Sequence, residues 1–179
     1  MKTLTLLRHA KSSWDDATSR DFDRPLNARG RRAAETIGRA MRSESLRYDA
    51  VIASPAVRVV ETIDGVAAGS GMALAPHYDR RIYLASTAAL LDLVHEADDA
   101  HASLMIVGHN PGTESLALLL SRPGSHRSEI EVKFPTGTLV EMRFDVARWS
   151  DVDRGGGTIV RFIRPRDLDP ALGPEPGGW

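Results

Sequence analysis

The chain has 179 residues, of which 42% are hydrophobic and 26% are charged, and its formal net charge is -1. This length fits one compact domain, and the near-neutral charge gives no reason to expect a nucleic-acid partner. The absence of cysteine excludes disulfides, thiolate catalysis and thiolate metal sites, and no apolar run approaches the roughly 18 residues that span a bilayer.

The first predicted element is a strand at Lys2–Leu7, where apolar residues alternate along the chain. This patch reaches Arg8 too early for a signal peptide, so we expect a cytoplasmic protein without a membrane partner. A polar loop follows through Pro25. Asn27 is a suitable N-cap for a helix that extends to about Ser43.

The middle of the chain continues the alternation of strands and helices. Asp49–Ala53 is typical of a buried strand, and Ser54-Pro55 pairs a capping residue with a proline that suits the first helical position. The helix opened there is predicted to extend to about Ala68. A glycine-bearing break then leads to a short strand near Ala73–His77.

The next predicted helix begins around Ser86, and Leu104–Val107 after it is a fully apolar strand. This strand ends in a turn, Gly108-His109-Asn110-Pro111-Gly112, from which a helix continues over Glu114–Leu120. The succession of elements indicates an α/β layer fold, in which functional residues lie at strand ends.

Thr138–Phe144 and Thr158–Ile163 are predicted as the last two strands, antiparallel to each other, with a loop at Asp151–Gly157. We expect residues 1–166 to form a single domain. The remaining segment, 167–179, is rich in proline and glycine and is expected to be a flexible tail.

Two histidines and two arginines follow predicted strands. Arg8 and His9 follow the first strand, Arg58 lies one turn into the second helix, and His109 follows the fourth strand. Because parallel strands present their carboxyl ends to one crevice, we expect these four side chains to converge. Guanidinium forks and imidazoles suit a phosphoryl group, and none of the four is a strong carboxylate metal ligand, so we expect phosphoryl chemistry.

His9 is the candidate nucleophile, since cations at Arg8 and Arg58 should lower its pKa and keep the imidazole neutral. Its second ring nitrogen should donate to a backbone carbonyl or a similar acceptor, which would fix the tautomer. A bound phosphate should raise the pKa of His109, whose imidazolium would then stabilise the transition state. Backbone N–H groups near Pro111-Gly112 would add further phosphate contacts.

The polar residues of the loops have more ordinary interpretations. Asp21, Asp23 and Arg24 are expected to pin the long loop rather than to react. Ser54 is expected to be a helix cap, although its hydroxyl has a possible second use facing the site. Trp14 is interpreted either as a lid or as a packed aromatic residue.

Four segments resemble the histidine phosphatase superfamily, also called phosphoglycerate mutase-like. The family signature Arg-His-Gly corresponds to Arg8-His9-Ala10. The longer segments Leu6–Trp14, Asp21–Asn27, Ser54–Arg58 and Gly108–Gly112 are similar to those of the SixA-type phosphohistidine phosphatases. The resemblance spans roughly residues 1–120 and keeps the order of the motifs.

This resemblance implies a three-layer α/β/α sandwich with a mixed, mostly parallel sheet, and a reaction that uses neither metal nor cofactor. It implies a phosphohistidine intermediate at His9, phosphate binding by Arg8 and Arg58, and a supporting role for His109. Ser12, which lies within the first motif, is a further candidate for phosphate binding.

The sequence departs from the mutase branch of this family at two places. The asparagine that follows the signature there corresponds to Asp15, whose carboxylate would repel a phosphate. That branch also uses a glutamate as acid, and within Tyr78–Leu84 only Asp79 is a candidate counterpart. A missing acid favours substrates with a P–N bond, because the leaving imidazole can already carry a proton.

The sequence therefore predicts a phosphatase that acts on a phosphohistidine-bearing protein. A phosphatase of small phosphate esters is the alternative among enzymes. A catalytically slow module that binds a phosphoprotein or phosphate is the alternative of another class. The oligomeric state is left open.

Overall fold

The computed structural model describes residues 1–173 of the chain. Within these residues, six strands form one sheet. The strands are β1 (Lys2–Arg8), β2 (Ala50–Ala53), β3 (His77–Tyr78), β4 (Ser103–Gly108), β5 (Leu139–Phe144) and β6 (Thr158–Ile163). The helices are α1 (Ala28–Ser43), α2 (Val57–Ser70), α3 (Thr87–His95), α4 (Gly112–Leu120), α5 (Ser125–Val132) and α6 (Pro165–Leu168).

The sheet has the strand order β3-β2-β4-β1-β5-β6. Strands β3, β2, β4 and β1 are parallel, whereas β5 pairs antiparallel with both β1 and β6. The predicted α/β class with a mixed, mostly parallel sheet is therefore confirmed. The parallel strands bring the carboxyl ends of β1, β4 and β2 to one edge, where ligands bind in folds of this kind.

Hydrophobic side chains at alternate positions along the strands cover the two faces of the sheet. Leu104 and Ile106 of β4 belong to a core that also contains buried residues of α3, α4 and α5. Met105 and Val107 belong to a second core with buried residues of α1 and α2. Since successive strand residues point to opposite faces, one strand contributes to both cores and the molecule has three layers.

Most predicted elements lie within a few residues of their observed bounds. Asn27 is the N-cap of α1, and its side chain accepts a hydrogen bond from the Gly30 amide.

The prediction that Ser54 caps α2 is wrong. Helix α2 begins at Val57 with Ala56 as its N-cap. The amide of Ser54 donates to the Val107 carbonyl at 3.1 Å, which continues the pairing of β2 with β4.

Two elements show the limits of periodicity. Helix α5 was not predicted, because Ile130 is the single buried residue among its eight. Strand β3 was expected near Ala73–His77 but occupies His77–Tyr78, and both of its residues are exposed. A short, exposed edge strand leaves little hydrophobic alternation to detect.

The first part of the segment predicted as a tail contacts helix α1. Arg32 forms an ion pair with Asp169 at 2.5 Å, and Leu172 is buried in the same core as α1 and α2. Residues 174–179 lie outside the described residues, so the division at residue 166 stays a prediction. In the described part of the chain, no helix is long and apolar enough to span a membrane.

Candidate active site

His9 and His109 lie side by side at the carboxyl ends of the neighbouring strands β1 and β4. Arg8 and Gly108 are register partners, and the His9 amide donates to the Gly108 carbonyl at 3.0 Å. The two imidazole centroids are 5.2 Å apart, with the ring planes inclined by 58°. Both side chains are buried. Strand pairing alone therefore brings together two histidines that are far apart in the sequence.

Arg58 joins this pair from the first turn of α2. Its side chain is buried, and its Nε donates to His9 Nε2 at 3.3 Å. Because an arginine has no acceptor atom, Nε2 of His9 must be the unprotonated nitrogen of the ring. Three of the four predicted residues, His9, His109 and Arg58, thus lie close together.

The fourth residue, Arg8, is the last residue of β1. Its Nη1 donates to the Phe134 carbonyl at 2.8 Å, while its buried Nε has no hydrogen-bond partner among the described residues. Burial lowers the pKa of Arg8, and the nearby Glu114 opposes this change. The guanidinium charge of Arg8 lowers the pKa of both histidines, so this cation acts on the same site.

The tautomer of His9 is fixed by its second nitrogen. Nδ1 lies 2.7 Å from the backbone carbonyl of Ala10, to which it donates. Burial lowers the pKa of His9 to about 3, and the charges of His109, Arg58 and Arg8 contribute in the same direction. The imidazole is neutral at physiological pH, with Nε2 available as a base or a nucleophile.

His109 contacts Ser54, which follows strand β2. His109 Nε2 lies 2.8 Å from the Ser54 hydroxyl, and Nδ1 is buried without a hydrogen-bond partner in the described residues. Burial lowers the pKa of His109 to about 4, and Arg58 adds to this effect. The imidazolium expected during reaction would therefore have to be induced by the charge of a bound anion.

An acidic residue that we interpreted as a loop anchor contacts the site directly. Asp21 accepts a hydrogen bond from Arg58 Nη2 at 3.0 Å through Oδ2, and its backbone carbonyl accepts from Nη1 at 2.6 Å. Tyr83 donates its hydroxyl to the same Oδ2 at 2.6 Å, and its ring stands edge-on to His109. No sequence periodicity links these loop positions.

Arg24 anchors the first part of the long loop, as predicted. It donates to Asp21 Oδ1 at 3.0 Å through Nη2 and to the hydroxyl of the buried Ser12 at 2.8 Å through Nη1. Its guanidinium also stacks on Trp14 at 3.5 Å from the ring centroid, although 73% of Trp14 is exposed. Ser12 thus contacts the residues that surround the site through Arg24.

A buried threonine ties the His9 loop to helix α2. Thr62 Oγ1 accepts from the Ala10 amide at 3.0 Å and donates to the Arg58 carbonyl at 2.6 Å. On the other side of the loop, a Cβ on Gly30 would collide with the Lys11 carbonyl. The loop after His9 is therefore held between α1 and α2.

The two carboxylates that the sequence leaves in question lie elsewhere. Asp15 is exposed, and its amide donates to Ser13 Oγ. Asp79 caps a short turn and pairs with Arg81 at 2.8 Å, and the hydrogen bonds from Arg81 lower its pKa. A lowered pKa is the opposite of what a proton donor needs. The described residues contain no cluster of three or more His, Asp or Glu that could hold a metal ion.

Comparison with known proteins agrees with this geometry. Residues 4–83, which include His9 and Arg58, match the model of the histidine phosphatase superfamily (branch 1). An uncharacterised Mycobacterium tuberculosis protein, Rv1276c, is 33% identical over 164 residues, which cover 89% of this chain and 100% of that protein.

Two solved structures share the whole fold. A candidate phosphohistidine phosphatase SixA from Nakamurella multipartitia has a TM-score of 0.80 at 26% identity, covering 92% of this chain and 96% of its own. Another from Agrobacterium tumefaciens has a TM-score of 0.76 at 28% identity, covering 92% and 98%. The chain belongs to the histidine phosphatase superfamily, branch 1, and within it to the SixA-type phosphatases.

Proposed function

We propose that this phosphatase removes phosphate from phosphohistidine on a protein, through a covalent intermediate at His9 and without a metal. The observation that carries the proposal is the state of the His9 ring. Nδ1 donates to the Ala10 carbonyl, and Nε2 accepts from the buried Arg58. An unprotonated nitrogen beside a phosphate-binding cation is the arrangement that phosphoryl transfer to an imidazole requires.

In the proposed first step, Arg58 Nε transfers its hydrogen bond from His9 Nε2 to the bound phosphate. The freed lone pair of Nε2 attacks phosphorus and forms a P–N bond while the bond to the leaving group breaks. Water then attacks the same phosphorus, breaks the bond to His9 and releases inorganic phosphate. Arg8 and Arg58 stabilise the charge on the equatorial oxygens. Ser12 is proposed to add a hydrogen bond to the bound phosphate.

His109 is proposed to donate to a phosphoryl oxygen. If Ser54 donates its hydroxyl to Nε2, the proton of neutral His109 is on Nδ1, the ring nitrogen without a partner among the described residues. The arriving phosphate would raise the low pKa of His109 and favour its protonation. The His109 ring then becomes positively charged when a negatively charged phosphate is bound beside it.

The P–N substrate class is supported by the charge state of the nearby carboxylate. Asp21 has a pKa lowered to about 2, with hydrogen bonds from Tyr83 and Arg58 outweighing its burial. An ionised carboxylate does not protonate an alkoxide, whereas an imidazole leaving group can already carry its proton. Both structural relatives described above are candidate phosphohistidine phosphatases.

The decisive experiment compares hydrolysis of a phosphohistidine protein, a phosphohistidine peptide and a panel of sugar phosphates under the same conditions. We expect kcat/KM to be highest for the protein. Faster turnover of the sugar phosphates would instead identify a phosphatase of small esters. A burst of one equivalent followed by negligible hydrolysis would identify a phosphoprotein-binding module.

A further inference from the structure

Asp21 places a negative charge directly on the phosphate-binding arginine. Both terminal nitrogens of Arg58 donate to it, Nη1 to the backbone carbonyl at 2.6 Å and Nη2 to Oδ2 at 3.0 Å. Arg58 Nε is directed to His9. A phosphoryl group that binds Arg58 beside His9 therefore lies next to the Asp21 carboxylate.

The position of this carboxylate is fixed by neighbours from three parts of the chain. Tyr83 and Arg58 donate to Oδ2, and Arg24 donates to Oδ1. Tyr83 also stands edge-on to the His109 ring, with centroids 5.5 Å apart. The Asp21 side chain nevertheless keeps 44% of its surface exposed, so it lies at the open rim of the site.

The rim is where the leaving group of a bound substrate has to lie, because His9 and Arg58 occupy the buried end. The hydrogen bonds from Tyr83, Arg58 and Arg24 keep Asp21 ionised at neutral pH. A second negative group on the substrate would meet this charge at short range. Like charges several ångströms apart in a half-exposed site change an equilibrium by about five- to tenfold.

We infer that Asp21 is a specificity-determining residue that disfavours substrates whose leaving group carries a second negative charge. The inference rests on the proposed function only in that the transferred phosphoryl binds Arg58 beside His9. Phosphohistidine passes this selection, because its leaving imidazole carries no negative charge. Substrates whose leaving group carries a carboxylate or a second phosphate are disfavoured.

The test uses two substrates that differ in one charge, 4-carboxyphenyl phosphate and 4-carbamoylphenyl phosphate. The measured quantity is the ratio of their kcat/KM values, or of their inhibition constants where turnover is slow. In Asp21→Asn, the kcat/KM of the carboxyl substrate relative to that of the carbamoyl substrate should rise by about five- to tenfold. The gain should shrink as ionic strength rises, since salt screens exposed charges.

A matched control lies on the same turn. Asp23→Asn removes a carboxylate of similar exposure that pairs with Arg20 instead of Arg58. Its ratio should equal that of the wild type, and Asp21→Glu, which keeps the charge, should keep the discrimination. If Asp21→Asn folds poorly by circular dichroism, Asp21→Ser supplies the same loss of charge.

An unchanged ratio in the neutral variants, or an equal change in Asp23→Asn, would overturn the inference. The result is independent of the physiological substrate. If the ratio shifts but phosphohistidine proteins are not hydrolysed, the substrate assignment fails and the role of Asp21 stands. If phosphohistidine is hydrolysed but the ratio is unchanged, the substrate assignment stands and the role of Asp21 fails.

Discussion

His9 has both ring nitrogens engaged before any substrate arrives. Ala10 accepts from Nδ1, and Arg58 donates to Nε2. The first contact selects the tautomer, and the second holds the unprotonated Nε2 beside the cation that is proposed to bind phosphate. The sequence predicted a backbone carbonyl or a similar acceptor for Nδ1, and the structure identifies it as the Ala10 carbonyl.

Replacing His9 by alanine removes the proposed nucleophile. We expect His9→Ala to form no acid-labile phosphoenzyme when it is incubated with a ³²P-labelled substrate and quenched, whereas the wild type is labelled. His77→Ala is the matched control, since His77 is exposed. Label that persists in His9→Ala would rule out His9 as the phosphorylated residue.

Arg58 is proposed to stabilise charge that grows in the transition state. Removing one such preorganised donor typically costs at least about 2 kcal/mol, so Arg58→Ala should lower kcat/KM by about 30-fold or more. Steady-state kinetics with one phosphohistidine substrate measures this. Arg20→Ala, which removes an arginine whose side chain is 84% exposed, should change little. Equal kinetics in the two variants would show that Arg58 does not stabilise the transition state.

At the scale of elements, helix α2 does more than carry Arg58. The Thr62 hydroxyl accepts from the Ala10 amide and donates to the Arg58 carbonyl. It therefore joins the two segments that carry the proposed nucleophile and the arginine that is proposed to bind phosphate. Helix α1 closes the other side of the loop at Gly30. The position of His9 therefore depends on two helices as well as on its strand.

Thr62→Val removes this hydroxyl but keeps the shape of the side chain. The Ala10 amide then stays buried without its partner, which should lower the free energy of unfolding by about 1–3 kcal/mol. We expect kcat to fall as well, because the His9 loop loses its anchor. Urea unfolding and steady-state kinetics measure the two effects.

Thr36→Val is the matched control, since Thr36 is buried in α1 and makes the same type of hydrogen bond, to the Arg32 carbonyl at 2.8 Å. It should affect stability without a selective effect on kcat. If both variants lower kcat alike, Thr62 has no special role at the site.

The elements also show where sequence reasoning succeeds. Strands β1 and β4, which the two histidines follow, have clear patterns: apolar residues alternate along β1, and β4 is a mostly buried apolar run. Ser54 was misassigned because a serine before a proline is a common helix start, whereas its amide here continues the pairing of β2 with β4. The contact between Ser54 and His109 arises from that pairing, which local propensity does not report.

At the scale of the whole molecule, burying two neutral imidazoles links stability to pH. The pKa values of His9 and His109 are lowered from 6.5 to about 3 and about 4. Between these values and 6.5, the unfolded chain binds protons that the folded protein excludes. The free energy of unfolding is therefore highest above pH 6.5, where both states hold neutral histidines, and it decreases as the pH falls toward 4.

This linkage predicts that lowering the pH from 7 to 5 costs about 2 kcal/mol of stability for each of the two histidines. His9→Asn should therefore lose about 2 kcal/mol less than the wild type over that interval, measured by urea unfolding in phosphate-free buffer. His77→Asn serves as the exposed control. A wild type and a His9→Asn variant with the same pH dependence would contradict the prediction.

The site as a whole was only partly predictable. Arg8, His9, Arg58 and His109 were predicted as site residues because each lies at or shortly after a recognisable strand, in a familiar motif. Their partners Asp21, Tyr83 and Thr62 lie on other segments and contact the site through the tertiary fold. Such contacts leave no periodic trace in one sequence, so Tyr83 and Thr62 were not singled out, and Asp21 was interpreted as a loop anchor without its contact to Arg58.

The register of β1 and β4 has a consequence for how this protein can evolve. His9 and His109 each follow one member of the register pair formed by Arg8 and Gly108. Adding or deleting one residue inside either strand would turn one imidazole to the opposite side of the sheet. Natural insertions and deletions should therefore accumulate in the connecting loops, while the lengths of these two strands stay invariant.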